Sequence, residues 1–184
     1  MNTLQVGNLQ LSRIILGTSY FGSAIPEPIC YELLDAYYAL GGRTIDTARV
    51  YGMSERVLGR WFALRRPRDI VLITKGAHPP IGRMNEPRLS RACVLDDAQR
   101  SVAALGRVPD LWLLHRDDPA RPVEEIAQTM ARLLDSDLCH AVGASNWTAA
   151  RLDAYNTYAA SHGLPLFAAS EIQWSLALTT PEAY

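Results

Sequence analysis

A short strand rich in leucine or β-branched residues, followed by an amphipathic helix, recurs along this chain at a spacing of roughly 30 residues. Strands are expected at Arg13 to Leu16, Arg43 to Asp46, Ile70 to Thr74, Leu111 to Leu114, His140 to Gly143 and Phe167 to Ile172. Most are apolar on both faces, as strands of a parallel sheet covered on both sides must be. Between them, Leu33, Ala36, Tyr37 and Leu40 fall at helical spacing, as do Leu95, Ala98, Val102 and Leu105, and again Val123, Ile126, Ala127, Met130 and Leu134. Ser54, Ser90 and Thr148 stand where helix N-caps belong, and Gly41, Gly106 and Gly163 where helices end. Ahead of the repeats, Gly7-Asn8 between Leu4 to Val6 and Leu9 to Leu11 predicts an amino-terminal hairpin.

Strict alternation of strand and helix leaves two architectures, an open doubly wound sheet or a (β/α) barrel. Both place chemistry at the carboxyl ends of the strands. The chain has 184 residues, 48% hydrophobic and 20% charged, enough for one domain with a sizeable core. Its net charge of −1 comes from interspersed signs without a basic face, which argues against nucleic acid or an anionic membrane as partner. No apolar run approaches the roughly 18 residues of a membrane span, and the amino terminus lacks a leader pattern, so a cytoplasmic location is expected. Cys30, Cys93 and Cys139 are odd in number and far apart, which fits buried thiols better than disulfides or a zinc site. No metal site is expected.

The strand ends collect the polar residues. Asp46 closes the second strand and Tyr51 follows in the loop; Lys75 ends the third, His115 the fourth, Ser145-Asn146 the fifth, and Gln173 the sixth. Lys75 draws attention because every other basic side chain among the 18 lysines and arginines is arginine. A compact ammonium whose field a neighbour uses is a role that guanidinium fills poorly. Beside it, a tyrosine hydroxyl becomes a better proton donor, because the ammonium stabilises the phenolate. A carboxylate such as Asp46 would keep the lysine charged, and His115 could orient a substrate oxygen. Ser145, Asn146 and Gln173 carry groups able to hold a nicotinamide carboxamide. Taken singly, each of these residues has a plainer role: an ion pair, a helix cap, a core aromatic or a loop hydrogen bond. Their shared face carries the argument.

Other chemistries fit less well. Gly143-Ala-Ser-Asn-Trp147 lacks the second glycine of a serine nucleophile elbow, and neither a dinucleotide Gly-x-Gly-x-x-Gly nor a phosphate-loop Gly-Lys-Ser/Thr occurs. A doubly wound dinucleotide fold is therefore the second choice.

The chain resembles the aldo-keto reductase family. The resemblance rests on Leu16-Gly-Thr-Ser, Gly42-Arg-Thr-Ile-Asp-Thr-Ala-Arg-Val-Tyr-Gly52 with Ser54-Glu55, Ile73-Thr-Lys-Gly76, Leu113-Leu-His-Arg-Asp117, Val142-Gly-Ala-Ser-Asn-Trp147 and Gln173-Trp-Ser175, in order over nearly the whole chain. It implies a (β/α) barrel closed at its bottom by an amino-terminal hairpin, and NADPH-dependent reduction of a small-molecule aldehyde or ketone. It makes Asp46, Tyr51, Lys75 and His115 the catalytic tetrad. By the same resemblance Gly17, Thr18, Asp46, Ser145, Asn146 and Gln173 become cofactor contacts. Tyr20, Trp147 and Trp174 are candidate walls of the substrate site, and the connection from Gly76 to Leu89, with Pro79, Pro80 and Pro87, is expected to shape its mouth.

One departure stands out. A (β/α)8 enzyme needs about 250 residues, whereas Thr180-Pro181 announces a helix four residues before the end at Tyr184. About six of eight βα units are expected in one partial barrel domain over residues 1–184, a truncated family member with unclosed edges open to a partner chain or to self-association. The alternative function is a catalytically silent fragment that acts as a binding or assembly module, or has no independent function.

Overall fold

A computed structural model describes residues 1–177 of the chain. At the amino terminus β1 (Thr3–Val6) and β2 (Leu9–Ser12) form an antiparallel hairpin in which Val6 faces Leu9 across the Gly7-Asn8 turn. Then follow β3 (Leu16–Gly17), α1 (Glu27–Ala39), β4 (Thr44–Asp46), α2 (Ser54–Arg65), β5 (Val71–Gly76), α3 (Arg91–Leu105), β6 (Leu111–Leu114), α4 (Val123–Asp135), β7 (Val142–Ser145), α5 (Ala149–Ser161) and β8 (Ala169–Glu171). Strands β3 to β8 hydrogen-bond in sequence order, all in parallel. The result is an incomplete α/β barrel. Among the described residues its edges are β3 and β8, each paired on one side. The helix start expected at Thr180-Pro181 lies outside the described residues.

Period-two alternation sorts the strand residues into two layers. Ile73, Leu111 and Leu113 point into the barrel, where Leu11, Val6 and Leu9 of the hairpin cover them and plug the amino-terminal end. Leu72, Trp112, Leu114, Val142 and Ala144 point outward under the helices. Fully burying such a side chain contributes roughly 1.5–3 kcal/mol before the cost of ordering it. Gly143 faces the interior of β7, and a Cβ there would lie 2.4 Å from the Ala169 carbonyl oxygen and 2.6 Å from Leu113 Cδ2. Only glycine lets β8 approach this closely. Among the described residues, no helix is long and apolar enough to cross a membrane.

Several elements are shifted from their sequence expectation. Arg13 to Ile15 is not strand, because its backbone is used elsewhere: Arg13 N–H donates to the Asn2 carbonyl, and the Ile14 carbonyl accepts from the Tyr37 hydroxyl. β7 and β8 likewise start two residues later than expected. Helix α1 is rotated relative to the expected stripe. It buries Cys30 and Leu34, with Tyr31, Tyr37 and Tyr38 packed beside them, and leaves Leu33 and Leu40 exposed. In α4 the expected stripe holds except at its end, where Leu133 replaces Leu134. Ser90 and Thr148 cap α3 and α5, accepting from the Cys93 and Arg151 amides. Ser54 does not cap α2. It is the first helical residue, and its hydroxyl turns inward to Thr18 Oγ1 at 2.7 Å and Thr47 Oγ1 at 2.8 Å.

Candidate active site

Interior alternation carries beyond the apolar layer to the carboxyl ends of the strands. On β5, Ile73 is followed two residues later by Lys75; on β6, Leu113 by His115; on β7, Gly143 by Ser145; and on β8, Ala169 by Glu171. Asp46 occupies the last position of β4, alongside. The loop after β4 is fixed by short bonds. Tyr51 N–H donates to the Ala48 carbonyl and the Tyr51 carbonyl accepts from Ser54 N–H, at 3.0 and 3.1 Å. Beneath it, buried Glu55 accepts from Thr74 Oγ1 at 2.8 Å and from Arg49 at 3.3 Å. After β5, Ala77 takes a left-handed φ of 60°, held by the hydrogen bond its backbone N–H donates to Asp97 Oδ2 at 2.9 Å. That turn brings His78 over the site.

Lys75 is fully buried. Its Nζ donates to both oxygens of Asp46, at 2.6 Å to Oδ1, and lies 3.3 Å from the Thr47 carbonyl and 3.2 Å from Glu171 Oε1. The Tyr51 ring centroid is 5.5 Å from Nζ. Tyr51 meets His115 edge-on at 5.7 Å, and His78 meets His115 at 4.7 Å. A cavity of about 380 Å³ opens on this group, lined by Val50, Tyr51, His78, His115, Arg116, Ser145, Asn146, Glu171, Ile172 and Gln173. A larger hollow, between Trp61 and Arg65 to Asp69, lies against the amino-terminal side of β5, away from these groups, and holds no comparable set.

The electrostatics follow from burial and the charges packed around Lys75. Burial works against the Lys75 ammonium, but the charges of Asp46, Glu171 and Tyr51 outweigh it and raise its pKa, so the lysine is charged. Burial, reinforced by the charge of Glu171, raises the Asp46 carboxyl against the pull of Lys75. The Tyr51 phenol is raised by burial, with Lys75 acting in the opposite direction. For His115, burial comes first and the charges of Lys75, His78 and Arg116 add to it, lowering its pKa to about 3. The imidazole is therefore neutral near pH 7.

The expected tetrad of Asp46, Tyr51, Lys75 and His115 thus gathers at one place. Ser145 and Asn146 line the same cavity. Asn146, at φ 58°, donates from Nδ2 to Ser145 Oγ at 2.9 Å and from its backbone to the Glu171 carbonyl at 2.8 Å. Gln173 lies at the mouth, exposed, its backbone N–H donating to Asn146 Oδ1 at 3.0 Å. Gly17 ends β3 in register with Asp46, and a Cβ there would meet no atom within 4 Å. Thr18 is buried, and its hydroxyl donates to the Asp46 carbonyl at 2.8 Å, so it fixes the aspartate's backbone.

Two expected substrate walls lie elsewhere. Tyr20 is 64% exposed and does not line the cavity. Trp147 is buried in the helical core, edge-on to Tyr155 and Phe167, because α5 folds over it. Trp174 is exposed. The Gly76 to Leu89 connection does reach the site, through His78, and its Pro79 and Met84 line an adjoining hollow with Arg116 and Asn146.

Sequence reasoning missed His78 and Glu171. Expecting β8 to run to Ile172 made Gln173 the residue at its tip; the strand ends at Glu171, which pairs in register with Ser145. Period-two counting from Ala169 would have found it.

The model of the Aldo/keto reductase family matches residues 13–183. The chain belongs to the aldo/keto reductase family. It is 29% identical over 189 residues to norsolorinic acid reductase stcV of Emericella nidulans, an alignment covering 92% of this chain and 48% of that protein. To the aldo-keto reductase YhdN of Bacillus subtilis it is 30% identical over 162 residues, 84% of this chain and 49% of the relative. To norsolorinic acid reductase B of Aspergillus parasiticus it is 31% identical over 194 residues, 95% of this chain and 49% of the relative. The chain spans about half the length of the curated relatives it matches.

Proposed function

We propose that this aldo/keto reductase chain carries the proton-transfer half of an NADPH-dependent reduction of aldehydes or ketones to alcohols. The observation that carries the reading is the buried Lys75, bonded to Asp46, beneath the ring of Tyr51 at the floor of a cavity shared with His115. The cavity falls in the size range of small-molecule sites. Ser145 and Asn146 on one wall offer a hydroxyl and a carboxamide to a nicotinamide carboxamide, and His115 Nδ1 is buried without a hydrogen-bond partner among the described residues. These groups fit a nicotinamide ring beside a carbonyl compound.

NADPH, when bound, supplies the hydride that the carbonyl carbon takes up. Tyr51 gives its hydroxyl proton to the carbonyl oxygen as negative charge develops there, and Lys75 stabilises the phenolate left behind. Asp46 keeps Lys75 charged and in place. Neutral His115 holds the substrate oxygen by a hydrogen bond and adds no competing cation. The proton is later restored to Tyr51 from solvent through the open mouth.

A fluorescence titration with NADPH, followed by oxidation of the cofactor in the presence of an aromatic aldehyde, tests this reading. Saturable binding with turnover supports it; saturable binding without turnover favours the silent alternative. That second reading, an assembly module, draws on the sheet edges. β3 and β8 each have a free side among the described residues, with Ile14, Ile29 and Leu33 exposed at one end and Leu166, Ile172 and Trp174 at the other. Sedimentation of the purified chain as a concentration-dependent oligomer would support that reading.

A further inference from the structure

Lys75 has more claimants than protons. An ammonium carries three N–H donors. Around Nζ stand the two Asp46 oxygens, the Thr47 carbonyl at 3.3 Å and Glu171 Oε1 at 3.2 Å, with the Tyr51 phenol beside them. Asp46 and Thr47 belong to β4 and its loop, so their hold on the lysine comes with the fold of the barrel wall. Glu171 comes from the far edge strand, β8, and is itself built in. Its carbonyl accepts from the Asn146 amide at 2.8 Å, and its position is in register with Ser145. Its carboxylate, 45% exposed, reaches back across the cavity to a lysine that is 1% exposed.

We infer that Glu171 is a positioning residue for Lys75, holding the ammonium between two carboxylates and so limiting how strongly it acidifies the Tyr51 phenol. The inference rests on the reading of Tyr51 as proton donor. Two carboxylates share one ammonium, so the Asp46–Lys75–Glu171 group has one more acid than base, which opposes a phenolate nearby. Replacing the Glu171 carboxylate by a neutral amide removes one acid from the group and weakens its claim on the ammonium N–H groups. Among the described residues, the other titratable groups facing this centre are His78 after β5 and His115 and Arg116 after β6, and none of them contacts Lys75 as an acceptor. Glu171 is thus the residue on the open side of the lysine that adjusts its field.

The test is a ¹³C-tyrosine NMR titration of the whole chain without cofactor or substrate, with the Tyr51 signal assigned by Tyr51→Phe. Glu171→Gln, nearly isosteric and at a partly exposed position, should lower the Tyr51 pKa by about one unit or more, as removal of a like charge at this range does. Glu171→Asp retains the charge on a shorter arm and should lower it less. The alkaline limb of kcat/KM for aldehyde reduction should move down by the same shift as the NMR value. A Tyr51 pKa that does not fall in folded Glu171→Gln, or that falls equally in Glu171→Asp, overturns the inference. The outcomes separate the two claims. A shifted Tyr51 pKa in a chain that reduces nothing would sink the functional reading and leave this one standing; turnover with an unmoved Tyr51 pKa would do the reverse.

Discussion

Lys75 Nζ bonds both carboxylate oxygens of Asp46, at 2.6 Å to Oδ1, from the neighbouring strand of the same sheet. The pair is buried, so its energy is lopsided: forming it returns little beyond its desolvation, but breaking it strands a charge. Lys75→Met should therefore cost about 3–5 kcal/mol in denaturant unfolding and, on the catalytic reading, about 100-fold or more in turnover. Adding Asp46→Asn should recover part of the stability and none of the activity. Recovery of both would mean that the lysine is purely structural.

Gly143 lets β8 lie close enough for Glu171 to reach Lys75. Gly143→Ala would place a Cβ 2.4 Å from the Ala169 carbonyl oxygen, and should lower unfolding free energy by about 1–3 kcal/mol. Gly17→Ala, where nothing lies within 4 Å, should leave the unfolding midpoint nearly unchanged. Equal midpoints for the two variants would show that β8 does not pack on Gly143.

His115 is held neutral, with its pKa lowered from 6.5 to about 3 by burial and by Lys75, His78 and Arg116. The unfolded chain binds a proton between those values and the folded chain does not. The resulting stability is fully present above pH 6.5 and is lost as pH falls towards 3, by an amount on the order of a few kcal/mol. Urea unfolding at pH 4.5 and pH 7 measures it. His115→Phe should flatten the difference, and an unchanged difference would place the titration elsewhere.

How much of this was legible in the sequence depends on whether a local pattern or a neighbour decided the outcome. Alternation of apolar strands and striped helices was enough for a parallel α/β sheet, because each element's burial is written in its own residues; choosing a partial barrel over an open sheet took the family resemblance and the chain length. Lys75 was singled out because it is the one lysine in an arginine-rich chain and stands at a strand end, and His115 because it ends the next strand. Ser54 was misread because a serine before a helix satisfies the capping rule equally well when its hydroxyl is instead claimed by Thr18 and Thr47 from other elements. Trp147 was misplaced for the same reason: only the path of α5 and Phe167 decides that its ring is covered. Glu171 depended on where β8 stops, which pairing with β7 settles.

The central claim is that Tyr51 hands a proton to a carbonyl oxygen under the influence of Lys75. It is tested most directly by the rate of NADPH oxidation by an aromatic aldehyde in the native chain and in Tyr51→Phe, which keeps the ring and removes only the hydroxyl. The account predicts saturable turnover in the first and a loss of about 100-fold or more in the second, with NADPH binding unchanged; turnover that survives the loss of the hydroxyl would contradict it.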